Sequence, residues 1–189
     1  MMTTKEKILL EAMKLFSVQG FTAVSVRTIA AAVGVRDSAL YKHFKSKQEI
    51  LDAIVEASKL RFKEQYAKLN IGEINEDNLV DSCIEMFSYQ TQDEWIVMFR
   101  RLLMIEQFSN PEMAAIYRAI FIDMPVNTQK QIFQQLINKK VMKDKNAEVM
   151  AVELYAPFFL YHTINDSPER IELLLRKHVE NFIETYREE

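Results

Sequence analysis

The chain has 189 residues, with 49% hydrophobic and 27% charged residues and a formal net charge of −3. This length and composition allow one large or two small globular domains with a sizeable core. The single cysteine excludes an intrachain disulfide, and no apolar run approaches the roughly 18 residues of a membrane span, so we expect a cytoplasmic protein with no membrane partner.

The charge is unevenly distributed along the chain. Residues 1–48 contain eight Lys or Arg and three Asp or Glu, whereas the remainder is net acidic. This asymmetry indicates that only the basic N-terminal part meets a polyanion. Small charge imbalances are common in proteins, however, so charge alone favours nucleic-acid binding only modestly.

Capping signals divide the first 70 residues into four predicted helices. Thr3 and Glu6 form a capping box ahead of a helical apolar pattern that ends at Gly20. Ser25 can cap a second helix, and Ser46 opens another capping box. These signals predict helices at residues 4–19, 26–33 and 37–44, and a long fourth helix from residue 47 to about residue 69.

A tight turn at Val33-Gly34-Val35 joins the second and third predicted helices, which is the pattern of a helix-turn-helix unit. The residues around this turn resemble the DNA-binding head of the TetR/AcrR family of bacterial repressors, at fixed spacing and without gaps over roughly residues 5–55. The matching positions are Gly20-Phe21, Ser25-Val26, Ile29-Ala30, Val33-Gly34-Val35, Leu40-Tyr41, His43-Phe44, Ser46-Lys47 and Ile50-Leu51.

The resemblance implies an all-α protein of about nine helices. Residues 1–48 would form a three-helix DNA-binding domain, and residues 49–189 a helical bundle for ligand binding and dimerisation. The implied partners are a double-stranded DNA operator, a second copy of the chain and a small-molecule effector. Because the second part is rich in Met, Phe and Tyr, we expect this effector to be partly apolar.

Candidate DNA contacts cluster at the starts of three helices, where a recognition helix can reach base edges and helix N-termini can meet phosphates. The third helix offers Arg36, Asp37, Ser38, Tyr41, Lys42 and His43, the second offers Ser25, Arg27 and Thr28, and the fourth offers Lys47. By resemblance, Arg27, Tyr41, His43 and Lys47 match positions that commonly contact DNA, and Ser25 matches a hydroxyl ligand of phosphate.

Arg36 departs from the family pattern, since many relatives have Ser or Thr there as the cap of the recognition helix. Arginine cannot cap the helix, so we expect Asp37 or Ser38 to take over and to shift its start by one or two residues. Arg36 is then free for a guanine or a phosphate, and Asp37 can accept a hydrogen bond from a cytosine amine.

Apolar periodicity predicts six more helices, at residues 77–90, 94–108, 111–123, 127–139, 147–163 and 168–186. The fifth of these is apolar on all sides and must be buried on two sides. One side can face the chain's own core, and the other could face a second subunit. Pro157 should kink this helix or leave a carbonyl unpaired. The resemblance places the last two helices in a four-helix dimer interface, for which we name Leu154, Phe158, Leu174, Leu175, Val179, Phe182 and Ile183.

The candidate walls of an effector pocket are Met86, Tyr89, Trp95, Phe99, Tyr117, Phe121, Phe158 and His162. Residues of this kind at helical spacing are more often plain core. His43, His162 and His178 lack metal-ligand spacing, so neither a metal nor another cofactor is expected. The sequence has no G-x-S-x-G motif, P-loop or Rossmann fingerprint, and we expect no enzymatic activity.

The sequence therefore predicts a homodimeric transcriptional regulator, in first place a repressor that an effector releases from a near-palindromic operator. Two alternatives remain open at this point. One is an all-helical carrier or adaptor that keeps a DNA-binding-like head without DNA affinity. The other is an all-α enzyme. Neither gives a reason to place Arg36, Lys42, His43 and Lys47 at one end of the chain.

Overall fold

A computed structural model describes residues 2–75, 77–161 and 167–188, which are helical with no strand among them. The all-α prediction is confirmed. The α-helices are α1 Thr4–Gln19, α2 Val26–Val33, α3 Asp37–Leu40, α4 Lys47–Ala67, α5 Leu79–Gln92, α6 Glu94–Glu106, α7 Pro111–Arg118, α8 Met124–Asn138, α9 Ala147–Tyr161 and α10 Pro168–Tyr186. A 3-10 turn (Ile71–Glu73) follows α4, and a π-helical turn (Ala119–Asp123) joins α7 to α8.

The predicted caps of α1 and α4 are present. The Glu6 N–H donates to Thr3 Oγ1 (3.2 Å) and the Thr3 N–H donates to Glu6 Oε2 (2.7 Å), which completes a capping box. At α4 the Glu49 N–H donates to Ser46 Oγ (3.1 Å), but the Glu49 carboxylate accepts from the Lys45 N–H (2.6 Å), one residue before the cap. Both helix starts are therefore fixed by local side chains.

The chain divides into two compact units. The first consists of Met1–Ala67 and Glu94–Ile120, and so contains α1 to α4 together with α6 and α7. In this unit α1 packs against α2, α4 and α6. Its buried apolar side chains include Ile8, Met13, Phe16, Ile29, Leu40, Phe44, Ile54, Phe62, Phe99 and Leu103. The predicted domain boundary between residues 48 and 49 stays a prediction. In the packing, α4, α6 and α7 belong to the same unit as the predicted DNA-binding domain.

The second unit consists of Lys68–Asp93 and Phe121–Glu189, with α5, α8, α9 and α10. Its core is one cluster, which includes Leu79, Phe87, Phe133, Leu136, Met150, Leu154, Tyr155, Phe158, Leu175, Val179 and Phe182. Cys83 is buried in this cluster, and desolvation raises the pKa of its thiol to about 12. The second unit therefore has an apolar core of its own.

Several predicted helices differ from the observed ones in their bounds; α8, for example, begins at Met124 rather than at residue 127. The predicted helix at 37–44 is regular only over Asp37–Leu40, after which residues 41–43 form a turn. The predicted helix at 111–123 is α-helical only over Pro111–Arg118. Helix α9 continues through Pro157 to Tyr161, and the predicted end at Thr163 lies outside the described residues.

The predicted dimer interface needs correction. Five of its seven residues, Leu154, Phe158, Leu175, Val179 and Phe182, are buried in the second unit's own core. Because a side chain that is already enclosed offers no surface to a second subunit, the prediction is wrong for these five. Leu174 is exposed and Ile183 is partly exposed, and these two remain predictions. A single apolar stripe on a helix cannot by itself distinguish a core from an interface.

Candidate nucleic-acid interface

Helix α2 begins with hydroxyl and cationic side chains that face solvent. Ser25 caps it, since Ser25 Oγ accepts the Thr28 N–H (3.0 Å) and lies 2.8 Å from Thr28 Oγ1. Ser25, Arg27 and Thr28 are all exposed, whereas Ile29 and Ala30 are buried beneath them. The start of α2 thus presents two hydroxyls and a guanidinium to solvent, which is the chemistry that binds phosphate.

The turn between α2 and α3 depends on Gly34. This residue has φ 79° and ψ 30°, a left-handed conformation that glycine adopts at little cost. The Gly34 N–H donates to Ala31 O (3.1 Å) and the Val35 N–H donates to Ala30 O (2.9 Å). These bonds satisfy two of the last carbonyls of α2. The chain reverses here, so that α3 packs against α2 as in a helix-turn-helix unit.

Helix α3 has one buried and one solvent-facing side. Leu40 and Phe44 are buried, whereas Tyr41 is 51% exposed and Lys42 and His43 are exposed. The Phe44 N–H donates to Leu40 O (3.1 Å), which continues a helical turn beyond the regular helix. Two apolar anchors therefore hold a short helix whose aromatic and basic side chains point outward.

The recognition helix begins at Asp37, so the expected shift of its start is wrong. Arg36 occupies the N-cap position with extended backbone (φ −76°, ψ 152°) and makes no side-chain capping bond. The Leu40 N–H donates to Arg36 O (3.3 Å), so the backbone of Arg36 opens the helix while its side chain stays exposed. Asp37 instead lies in the first turn, where a carboxylate is favourable to the helix dipole.

Nine of the ten predicted DNA-contact residues are exposed, and all ten belong to the first unit. They lie on the first turn of α2, on α3 with its following turn, and at the start of α4. The exception is Lys47, which is partly buried.

Lys47 points back into the protein. Its Nζ donates to Phe21 O (2.7 Å) and Val24 O (2.7 Å), lies 3.4 Å from Thr22 O, and sits 4.3 Å from the centroid of the Phe21 ring. An ammonium has three N–H donors, and these contacts engage them with the turn between α1 and α2. The structure thus gives Lys47 a structural role, and its contact with a phosphate stays a prediction.

Glu106, the last residue of α6, has a role that the sequence pattern does not indicate. Its side chain is buried, and Oε1 accepts the Phe21 N–H (2.8 Å). The turn from Gly20 to Val24 is therefore held from α4 by Lys47 and from α6 by Glu106. A contact across 85 positions leaves no local signal in the sequence. One indirect signal exists, since an acidic residue is unfavourable at the C-terminus of a helix, where the helix dipole is negative.

The eight predicted pocket residues do not fall in one unit. Trp95, Phe99 and Tyr117 belong to the first unit, and Met86, Tyr89, Phe121 and Phe158 belong to the second, while His162 lies outside the described residues. In the parts of the chain that the structure describes, no group of three or more His, Cys, Asp or Glu could hold a metal ion. No helix of the described residues is both long and apolar enough to cross a membrane.

Comparison with known proteins is most specific for the helix-turn-helix region. The family described as "Bacterial regulatory proteins, tetR family" matches residues 8–54. The transcriptional regulator AcrR of Shigella flexneri is 41% identical over 71 residues, which are 38% of this chain and 29% of that protein. The transcriptional regulator UidR of Escherichia coli is 28% identical over 119 residues, 61% of this chain and 57% of that protein. The matched region thus spans less than two thirds of either relative.

Likeness to solved structures extends over the whole chain. SmeT, the repressor of the Stenotrophomonas maltophilia multidrug efflux pump SmeDEF, superposes with a TM-score of 0.66 at 23% identity and covers 99% of this chain and 92% of that chain. At this identity the likeness establishes the fold alone. Residues 8–54 of this chain therefore match the DNA-binding part of the TetR family of bacterial regulatory proteins.

Proposed function

We propose that the protein is a cytoplasmic, homodimeric repressor that binds a near-palindromic DNA operator and is released by a small-molecule effector. The observation that carries the proposal is the exposed set of hydroxyl, cationic and aromatic side chains on α2 and α3, anchored from behind by Leu40 and Phe44. Regulators of this family are transcription factors rather than enzymes, which agrees with the expectation of no catalysis.

The proposed mode of binding follows from the two faces of this unit. Tyr41, Lys42 and His43 enter the major groove, with Arg36 at the start of the same helix. Ser25, Arg27 and Thr28 bind the flanking phosphates and fix the register. In a two-fold dimer the two recognition helices meet successive major grooves about 34–36 Å apart, which is why the operator should be a near-palindrome.

Substitution of Tyr41 or Arg36 by alanine is expected to weaken operator binding at least tenfold, which corresponds to about 1.4 kcal/mol or more per site. The measurement is a fluorescence-anisotropy titration on a duplex selected from random DNA by the wild-type protein. Lys63→Ala is the matched control, because Lys63 is an exposed cation of α4 outside the proposed interface. The carrier or adaptor alternative would be favoured by a DNA affinity that depends weakly on salt. It would also be favoured if the Tyr41 and Arg36 variants bound DNA as tightly as Lys63→Ala.

The dimer is proposed to form through the outward faces of α9 and α10. Exposed large apolar side chains concentrate there: Val149, Val152, Phe159 and Leu160 on α9, and Leu173 and Leu174 on α10. In α9 these positions recur at helical spacing opposite the buried Met150 and Leu154. Exposed large apolar side chains in this number are typical of an interface, and we propose them in place of the buried residues predicted from the sequence.

The double substitution Val152→Glu with Leu173→Glu is expected to raise the dimer dissociation constant at least a hundredfold. In a two-fold dimer both subunits carry the substitutions, so four carboxylates are buried in one interface. The measurement is sedimentation velocity over a concentration series. Leu60→Glu in the first unit is the control, since Leu60 is 55% exposed and Leu173 is 53% exposed. A double variant that stays dimeric like Leu60→Glu would rule out this face as the interface.

The effector is proposed to act by binding more tightly to a form of the dimer whose heads are spaced wrongly for two half-sites. Such coupling requires a difference in effector affinity between the two forms, and DNA must then weaken effector binding by the same factor. Support comes from the family match at residues 8–54 and from a structural neighbour from Saccharomonospora viridis that was solved in complex with choline.

A further inference from the structure

The first unit contains a pocket that shares only Trp95 with the predicted effector site. Its volume is about 440 Å³, within the range of roughly 300–1,000 Å³ that small-molecule sites occupy. It lies between the N-terminal half of α1, the middle of α4 and the start of α6. The lining residues are Met2, Glu6, Leu9, Leu10, Ala57, Arg61 and Trp95.

The aromatic wall of this pocket is fixed in place. The Trp95 Nε1–H donates to Ser58 Oγ (2.9 Å), and the Ser58 hydroxyl donates to Ile54 O (2.7 Å). Ser58 is 0% exposed, so this chain of hydrogen bonds is shielded from competing water. Because the indole N–H is satisfied on the protein side, Trp95 offers the pocket an apolar ring face and edge rather than a polar atom.

The two charged residues of the pocket are in different situations. The Glu6 carboxylate accepts the Thr3 N–H as part of the capping box, and these hydrogen bonds from Thr3 lower the pKa of Glu6. The Arg61 guanidinium lies 5.0 Å from the centroid of the Trp95 ring, and no carboxylate of the described residues forms an ion pair with it. Arg61 is therefore the group whose five N–H donors are available to an anion.

We propose that this pocket binds a small apolar carboxylate, with its acid group on the Arg61 guanidinium and its apolar part against Leu9, Leu10 and Trp95. A planar guanidinium binds a carboxylate through two parallel hydrogen bonds, and the fixed indole beneath it restricts the geometry further. The aliphatic side chains of α1 supply the surface that the apolar part needs.

Occupation of the pocket has a consequence for the interface that rests on the proposed function. Helix α4 contributes Ala57 and Arg61 to the pocket, and its first residue, Lys47, holds the turn between α1 and α2. A ligand between α1 and α4 changes the spacing of these two helices. Helix α1 packs against α2, and α4 holds the turn before α2 through Lys47. In this proposal the bound carboxylate acts as an effector from within the first unit.

The single tryptophan of the chain allows a direct binding test without DNA. Octanoate is titrated into the protein while Trp95 emission is recorded, with octanamide as its uncharged counterpart. We expect a saturable change with octanoate, and affinity for octanoate at least tenfold above that for octanamide. Arg61→Ala should abolish this difference, whereas Lys63→Ala should preserve it. Ala57→Phe should prevent both ligands from binding, because the larger side chain fills the pocket.

Three results would overturn the assignment: no saturable change in the wild type, equal affinities for octanoate and octanamide, or octanoate affinity unaffected by Arg61→Ala. Ala57→Phe can disturb packing, and circular dichroism shows whether this variant is folded. If it is unfolded, the result for Arg61→Ala, on the exposed face of α4, decides the assignment. Octanoate is then added to the DNA titration. Binding without a change in operator affinity overturns only the regulatory consequence, and failure of the unliganded protein to bind DNA overturns the proposed function while leaving the site intact.

Discussion

Replacing Lys47 by alanine is expected to lower the free energy of unfolding by about 2–3 kcal/mol. The substitution removes two short hydrogen bonds from an ammonium to Phe21 O and Val24 O, and leaves both carbonyls to find water in a partly buried turn. It also removes a cation from the face of the Phe21 ring. The measurement is urea denaturation, with Lys45→Ala as the control because Lys45 is an exposed lysine two residues away.

The same variant distinguishes a structural role of Lys47 from the phosphate contact predicted by resemblance. If Lys47 binds a phosphate directly, Lys47→Ala lowers the slope of log affinity against log salt by about 1 and leaves the unfolding midpoint near that of Lys45→Ala. If it acts through the turn, the protein loses stability, and operator affinity falls because α2 is displaced, with the salt slope preserved. The second pattern is the one we expect. The first would show that the bonds to Phe21 and Val24 contribute little.

Local signals in the sequence predicted the first unit well, because they depend on neighbouring residues. The Thr3 capping box, the Ser25 cap and the turns at Gly20 and Gly34 all lie where short-range chemistry places them. The length of the recognition helix was predicted less well. Its apolar positions at Leu40 and Phe44 are compatible with a regular helix and also with the short helix and turn that are observed.

Features that depend on distant residues could not be predicted in the same way. The burial of the Glu106 carboxylate is decided by its bond to Phe21, and the direction of Lys47 by two carbonyls more than 20 positions away. The stripe on α10 shows the same limit. Its period revealed one apolar face, but only packing shows that Leu175 and Val179 are enclosed in the unit while Leu173 faces outward. The pocket beside Trp95 likewise depends on three helices that are distant in sequence.

Alanine at Gly20 is expected to cost about 2–4 kcal/mol of stability, more than alanine at Gly34, for which we expect about 1 kcal/mol. Gly20 has φ 79° and ψ 160°, a region that residues with a Cβ essentially avoid, whereas Gly34 has the left-handed conformation that other residues adopt at modest cost. The surroundings differ as well. A Cβ at Gly20 would lie 3.1 Å from Glu106 Oε1 and 3.2 Å from Ile105 Cγ2, whereas one at Gly34 has no atom within 4 Å.

The contact with Glu106 makes the Gly20 prediction more specific. A methyl group there presses on the carboxylate that accepts the Phe21 N–H, so Gly20→Ala weakens the link between α6 and the turn as well as straining the backbone. Thermal or urea denaturation of Gly20→Ala, Glu106→Ala and the double variant forms a double-mutant cycle. We expect the double variant to lose less stability than the sum of the single variants, because each substitution alone already breaks the same bond. Strict additivity, or a Gly20→Ala variant as stable as Gly34→Ala, would mean that the turn is not held through Glu106.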